Sequence, residues 1–201
     1  MSQKPTKELT KKQQTRQRIL DAASQSFRTY GYAGIGVDGI AKAAEVTSGA
    51  FYSHFGSKDG AFVAAIDAGL DEVIAGIPEF QQKDGNKWVE SFIDYYLGKA
   101  HRKDLANGCS MTTLSPEVVR VDPGYQLAYE KKMKQIVDIM ANGLEGGSLR
   151  ERRARTWAML GTLIGGLTLS RAVKTEQIAD EIANSIKIAA TAAAGKVKII
   201  K

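Results

Sequence analysis

At 201 residues, 43% of them hydrophobic and 25% charged, the chain has ordinary globular composition and is long enough to bury a core of its own. Its formal net charge of +6 is unevenly spread: residues 1–59 carry nine Lys/Arg against five Asp/Glu, and the other 142 carry nineteen against seventeen. A basic first segment on a near-neutral body suits a polyanionic partner, although a solvated basic tail would leave the same charge count. Cys109 is the single cysteine, which excludes an internal disulfide and a multi-cysteine zinc site. No metal and no cofactor is expected. The lysine-rich N-terminus lacks the apolar core of a secretory signal. The longest apolar stretch, Trp157 to Leu169, is short for a bilayer and is interrupted by Gly161, Gly165 and Gly166. The expectation is a cytoplasmic protein without a membrane partner.

No segment alternates apolar and polar residues for long, and only four prolines occur, so an all-α protein is expected. Residues 1–10 read as a disordered basic tail. Ile19, Ala22, Ala23, Phe27 and Tyr30 share one face of a helix that begins at Lys11 and ends at Gly31. Val37, Ile40, Ala41 and Ala44 repeat that spacing over a short second helix. Thr47 or Ser48 can cap a short third helix, with Phe51 and Phe55 on its inner face. Ser57 caps a longer helix through Phe62, Ile66 and Leu70, which Pro78 should end.

An aromatic-rich helix follows over about residues 87–102, and Asn107-Gly108 breaks the chain before Cys109. Ser115-Pro116-Glu117 and Asp122-Pro123 each pair a capping side chain with proline at the first helical position. The second pair should open a helix reaching Gly143. After the Gly146-Gly147-Ser148 turn come two more helices, over about 149–173 and 175–194. The domain plan is therefore a three-helix unit over 11–57, a larger helical body over 58–195 and a tail over 196–201.

A short helix, a turn of three or four residues and a second short helix, packed on a preceding helix, is the helix-turn-helix plan. The second helix is narrow enough for the major groove, and its N-terminal residues approach the base edges. Here those residues are Thr47, Ser48, Gly49 and Ala50: two hydroxyls for hydrogen bonds and two small residues for close approach. Tyr52, Ser53, His54 and Lys58 follow as donors placed for phosphate oxygens.

The run TRQRILDAASQSFRTYGYAGIGVDGIAKAAEVTSGAFYSHFGSKDGAFVAAI, from Thr15 to Ile66, resembles the DNA-binding domain of the tetracycline-repressor (TetR) family. Its most specific part is SGAFYSHFGSKDGAF. The resemblance implies an all-helical homodimer: an N-terminal three-helix DNA-binding domain, a linking fourth helix, a body enclosing a ligand cavity, and two last helices forming a four-helix dimer interface. Position by position it implies Thr47, Ser48 and Gly49 in the major groove and Tyr52 and His54 on phosphates. Lys58 would touch the backbone from the next helix, and Val37 sits where the second helix meets a phosphate. Three positions depart from the pattern. Gly36 stands where a capping serine or threonine is usual, Gly39 lies inside the second helix, and Glu45 holds the turn position usually given to glycine. Glu45 should leave the turn strained or reshaped.

In the body, Trp88, Phe92, Tyr95, Tyr96, Tyr125 and Tyr129 are ordinary core candidates that could also border an effector site. Cys109 is either a small buried hydrophobe or a seventh effector-site residue, a thiol activated by nearby Lys99, Arg102 and Lys103 to sense oxidants or electrophiles. His101, with Arg102 and Lys103 after it, reads as a solvated residue at a helix C-terminus. The stretch from Trp157 to Leu169 is apolar nearly all round, and with Ile178, Ile182 and Ile186 of the last helix it should form the dimer seam. Trp157, Leu160, Leu163, Ile164 and Leu167 are the seam residues expected from it. No Ser/His/Asp set, phosphate loop or metal cluster appears, so no catalytic residue is assigned and an enzyme is not expected. The function expected is a sequence-specific regulator, a homodimer that binds a pseudo-palindromic double-stranded operator and is released by a small-molecule effector. The alternative is an architectural or docking DNA-binding protein that senses no small molecule.

Overall fold

The computed structural model describes residues 9–121 and 124–197. Residues 1–8 of the tail expected over 1–10, the Asp122-Pro123 cap and the end of the C-terminal tail lie outside them. Eleven α-helices are described, and no strand appears among these residues apart from one isolated antiparallel bridge, Leu144 with Val197. Helix α1 (Lys11–Tyr30) begins at Thr10, whose hydroxyl accepts the Gln13 N–H in a capping box, so Thr10 belongs to the helix rather than to a tail. Gly31, at φ 73°, ends it. Helices α2 (Val37–Ala43) and α3 (Ser48–Phe55) follow, the latter capped by Thr47, whose hydroxyl accepts the Ala50 N–H.

Helix α4 (Lys58–Asp84) starts at the Ser57 cap but does not stop at Pro78. Proline inside a helix loses the hydrogen bond to the carbonyl four residues back. Packing on both sides outweighs that loss: Ile77 is buried, and the Phe80 ring lies 5.6 Å from the Phe92 ring. A single 3-10 turn (Gly85–Lys87) leads into α5 (Trp88–Tyr96). The single aromatic helix expected over 87–102 is two helices, because the chain turns at Leu97-Gly98 before α6 (Lys99–Lys103). A β-carbon at Gly98 would lie 2.9 Å from the Asp94 carbonyl oxygen, so the turn requires glycine there.

Two single-turn helices, α7 (Ser110–Thr113) and α8 (Ser115–Val118), come next. Ser115 is not a cap as expected: its hydroxyl donates to the Met111 carbonyl and meets the Tyr129 hydroxyl, both at 2.5 Å. The long helices α9 (Gly124–Asn142), α10 (Leu149–Ala172) and α11 (Glu176–Ala194) complete the body. Ser148 and Glu151 form a second capping box at the start of α10.

The core runs without a break from the N-terminal unit into the body. Ile19, Phe27, Ile40, Phe51 and Phe62 are fully or almost fully buried at one end, and Trp88, Ile136, Met140, Met159 and Leu163 at the other. Helix α4 spans both. It packs on α1 near its start and on α5 and α9 further along, so it is the mechanical link between the two ends.

Candidate DNA-binding surface and effector cavity

Helix α3 is held by its inner face. Phe51 is completely buried, its ring lies 5.9 Å from that of Phe55, and the Arg16 guanidinium of α1 covers the Phe55 ring at 4.9 Å. The outer face carries the residues expected to meet DNA. Thr47, Gly49, Tyr52 and Ser53 are exposed, Ser48 and His54 are half-buried, and nothing lies over Gly49 closer than the Thr47 hydroxyl at 3.8 Å. Val37, also half-buried, packs its side chain on the core, so only its position at the start of α2 faces outward.

Two supporting residues were missed in the sequence. The Asp38 carboxylate of α2 accepts the Ser48 hydroxyl at 2.6 Å, which fixes the rotamer and occupies the donor until DNA offers another partner. Tyr32 carries the Lys58 ammonium over its ring at 4.4 Å and donates its hydroxyl to Asp59. Burial, followed by that carboxylate, pushes the Tyr32 phenol up to about 12. Lys58 is thus aimed from the first residue of α4, where a helix N-terminus also favours phosphate. Neither pairing leaves a pattern in the sequence, since both join residues ten or more apart across a turn.

In the turn between α2 and α3 Glu45 takes a left-handed backbone conformation. That residue sits at φ 54° and is the one described non-glycine with positive φ. The hydrogen bonds Glu45 N–H to Lys42 O (3.1 Å) and Val46 N–H to Ala41 O (3.0 Å) close the turn around it. The strained alternative therefore holds, at a cost of roughly 1–2 kcal/mol for a side chain in this region. Gly36 leaves the α2 N-terminus without a side-chain cap, and Gly39 leaves room for Ile35, whose Cδ1 would lie 2.6 Å from a β-carbon there.

In the body a cavity of about 350 Å³ opens between α4, α5 and the segment from His101 to Met111. Four of the seven expected effector residues line it: Phe92, Tyr95, Tyr96 and Cys109. Trp88 does not. It is wholly buried elsewhere, with its Nε1–H donated to the Gly143 carbonyl at 3.2 Å. Tyr125 and Tyr129 border a separate small cleft against α4, beside Lys132. The aromatic lining also includes Phe80, outside the expected set.

His101 corrects the expectation of a solvated residue. It is buried, its ring stacks on Tyr95 at 5.3 Å, and it lines the cavity. Its Nε2 accepts the Cys109 N–H at 3.0 Å, which leaves the proton on Nδ1 to be donated to the Tyr96 carbonyl at 2.8 Å. Burial lowers its pKa, so the ring is a neutral strut joining α5 to the Cys109 segment. The Cys109 thiol lacks the activating lysines expected for it. Lys99 and Lys103 pair with Glu176, and Lys99 and Arg102 with Asp180, all toward α11. Burial pushes the thiol up, against weaker downward pulls from the Tyr96 hydroxyl and Arg28.

Of the expected dimer seam, Leu160, Leu163 and Leu167 are buried inside the protomer, and a second copy cannot reach them. They point from α10 into the body because the helix is apolar on more than one face, so periodicity could not say which face looks inward. Ile164, Ile182 and Ile186 are half-buried; Ile164 and Ile186 pack against the core, where Gly166 of α10 gives way to Ile186 of α11. The exposed large apolar side chains are Trp157, Leu169 and, at the helix start, Leu149 on α10, and Ile178 and Ile188 on α11. Gly161 and Gly165 lie between the first two, with open space where a β-carbon would be.

A capped recognition helix with exposed small and hydroxyl residues, joined through one long helix to a body that contains a cavity, defines a DNA-binding transcriptional regulator. Residues 19–65 match the family model described as bacterial regulatory proteins, tetR family. Over those residues the chain is similar to that family. It is 26% identical over 146 residues to the HTH-type transcriptional repressor NemR of Escherichia coli K12, covering 71% of this chain and 72% of that protein. It is 39% identical over 81 residues to the A-factor receptor protein of Streptomyces griseus, covering 40% and 27% respectively. The same fold is found in a TetR-family regulator from Cytophaga hutchinsonii, with a TM-score of 0.72 and 19% identity over 97% of this chain and 100% of that one. Among the described residues, no helix is long and apolar enough to cross a membrane.

Proposed function

We propose that the protein is a homodimeric repressor that holds a pseudo-palindromic operator with two copies of α3 and releases it when a small molecule enters the cavity of the body. The cavity carries this reading. A chain that only docked on DNA would have no use for a space of about 350 Å³ walled by Phe80, Phe92, Tyr95 and Tyr96 beside the helix that runs to the DNA surface. One relative, 39% identical over 81 residues, is named a receptor, which suits a regulator that senses a ligand. Thr47, Ser48 and Gly49 read bases in this proposal. Tyr52, Ser53, His54 and Lys58 hold phosphates, and the start of α2 at Val37 reaches the backbone.

The second copy sits on the exposed stripe of Trp157, Gly161, Gly165 and Leu169, extended by Ile178 and Ile188 of α11. Two-fold pairing there sets the spacing of the recognition helices, and closure of the cavity on a ligand changes it. The test is an operator-release assay. An operator chosen from random DNA is bound at fixed salt, and a library of compact aromatic and polar compounds is screened for loss of fluorescence anisotropy. Releasing compounds should lose potency in Tyr95→Ala and Phe80→Ala, while both variants still bind the operator. If releasing compounds act equally on both variants, the cavity is not their site. If no compound releases the operator, the sensing reading fails.

A further inference from the structure

We infer that Arg28 is the positioning residue through which the occupied cavity reports to the DNA-binding unit. The inference rests on the effector reading above. Arg28 lies in the last turns of α1, yet its side chain is only 6% exposed and reaches into the body. Its Nη2 and Nε donate to the Ser110 hydroxyl at 3.0 and 3.3 Å, and Nη2 also meets the Glu72 carboxylate at 3.3 Å. Ser110 and Glu72 both line the cavity; Arg28 does not. Among the described residues, Arg28–Ser110 is the one side-chain pair hydrogen-bonded between α1, α2 or α3 and any element beyond α4.

The contact is tight. A β-carbon at Gly69 would lie 1.9 Å from Ser110 Oγ and 2.8 Å from Arg28 Nη2, so α7 and the guanidinium both sit directly against the backbone of α4. Ser110 also follows Cys109, whose N–H is bonded to His101. A ligand that presses on His101, Cys109 or Ser110 therefore moves the principal acceptor of a buried guanidinium. Glu72, 71% exposed, is then the acceptor that remains. Leaving a buried charge short of partners is costly, and the group restores its bonds by moving with α1, which carries α2 and α3. Because the DNA-bound and ligand-bound states then differ in this one bond, its removal should weaken the coupling between the two sites.

The experiment uses a built-in occupant. Gly76 lines the cavity, and nothing lies within 4 Å of where its β-carbon would be, so Gly76→Phe fills the space from α4 without a clash at its root. Operator affinity is measured for the full-length wild type, Gly76→Phe, Ser110→Ala, Arg28→Met and the two double variants that contain Gly76→Phe. Thermal melting of each variant confirms that it is folded, and Gly76→Leu replaces Gly76→Phe if the latter is not. In the wild-type background the filled cavity should lower operator affinity within the roughly 5–150-fold range of such couplings. In the Ser110→Ala and Arg28→Met backgrounds the same filling should change affinity less than about twofold, which a purely structural role for either residue would not produce. An equal effect in all three backgrounds overturns the role of Arg28 and leaves ligand release standing. No effect of either filled variant in any background overturns both.

Discussion

Replacing Trp157 with alanine asks where the second protomer sits. The indole is 43% exposed in the protomer and stands at one end of the Gly161-Gly165 stripe. A tryptophan side chain offers up to about 250 Å², so roughly 100 Å² remains for a partner to cover. At about 25 cal/mol per Å² that burial contributes about 2.5 kcal/mol per protomer, and two-fold symmetry counts it twice. A total of about 5 kcal/mol is between roughly three and four powers of ten in the dissociation constant. Sedimentation over a dilution series reads that constant directly. Leu163→Ala is the contrasting variant: its side chain is wholly buried, so it should lower protomer stability by about 2–5 kcal/mol without a specific effect on assembly. The reasoning is refuted if Trp157→Ala leaves the dimer constant within about tenfold of wild type.

Glu45→Gly should relieve the left-handed turn between α2 and α3 and raise the melting temperature by the equivalent of about 1 kcal/mol or less; a lower melting temperature would mean the glutamate is held by something else. His101 stays neutral in the fold because burial lowers its pKa, so below the ordinary value of 6.5 the unfolded chain binds a proton that the folded one does not. Stability should therefore be full above that value and fall as pH drops below it, and in His101→Asn this part of the pH dependence should be absent. Cys109, with its thiol pushed up by burial, should react with iodoacetamide at neutral pH more slowly than a free cysteine does; equal or faster labelling would contradict that environment.

The DNA-binding unit was legible because it depends on local signals. Caps at Thr47 and Ser57, a glycine stop at Gly31 and apolar spacing at Ile19, Phe27, Ile40 and Phe51 each act within a few residues. The body was less so, because its order is set by contacts distant in sequence. Pro78 looked like a helix end, since the packing of Phe80 on Phe92 that carries α4 past it joins residues twelve apart. His101 looked solvated, since the bonds that bury it come from Tyr96 and Cys109 around a turn. The aromatic side chains of α5 share one helical face and divide along its length, so Trp88 at the start packs against Gly143 while Phe92 and Tyr95, one and two turns on, border the cavity. In α10, where most positions are apolar, only the folded body shows that Leu163 faces inward and Trp157 outward.

The most direct test of the central claim, sequence-specific DNA reading by α3, is a comparison of selected-site profiles for wild type, Thr47→Asn and Lys58→Ala at one salt concentration. Asparagine can cap α3 as threonine does, so this change alters the group offered to the bases while sparing the helix. Thr47→Asn should shift the preferred bases in both half-sites of the operator. Lys58→Ala should keep the wild-type preference, bind all sequences more weakly and reduce the salt dependence by about one phosphate contact. A wild-type profile without sequence preference, or a profile unchanged by Thr47→Asn and altered by Lys58→Ala, would contradict the account.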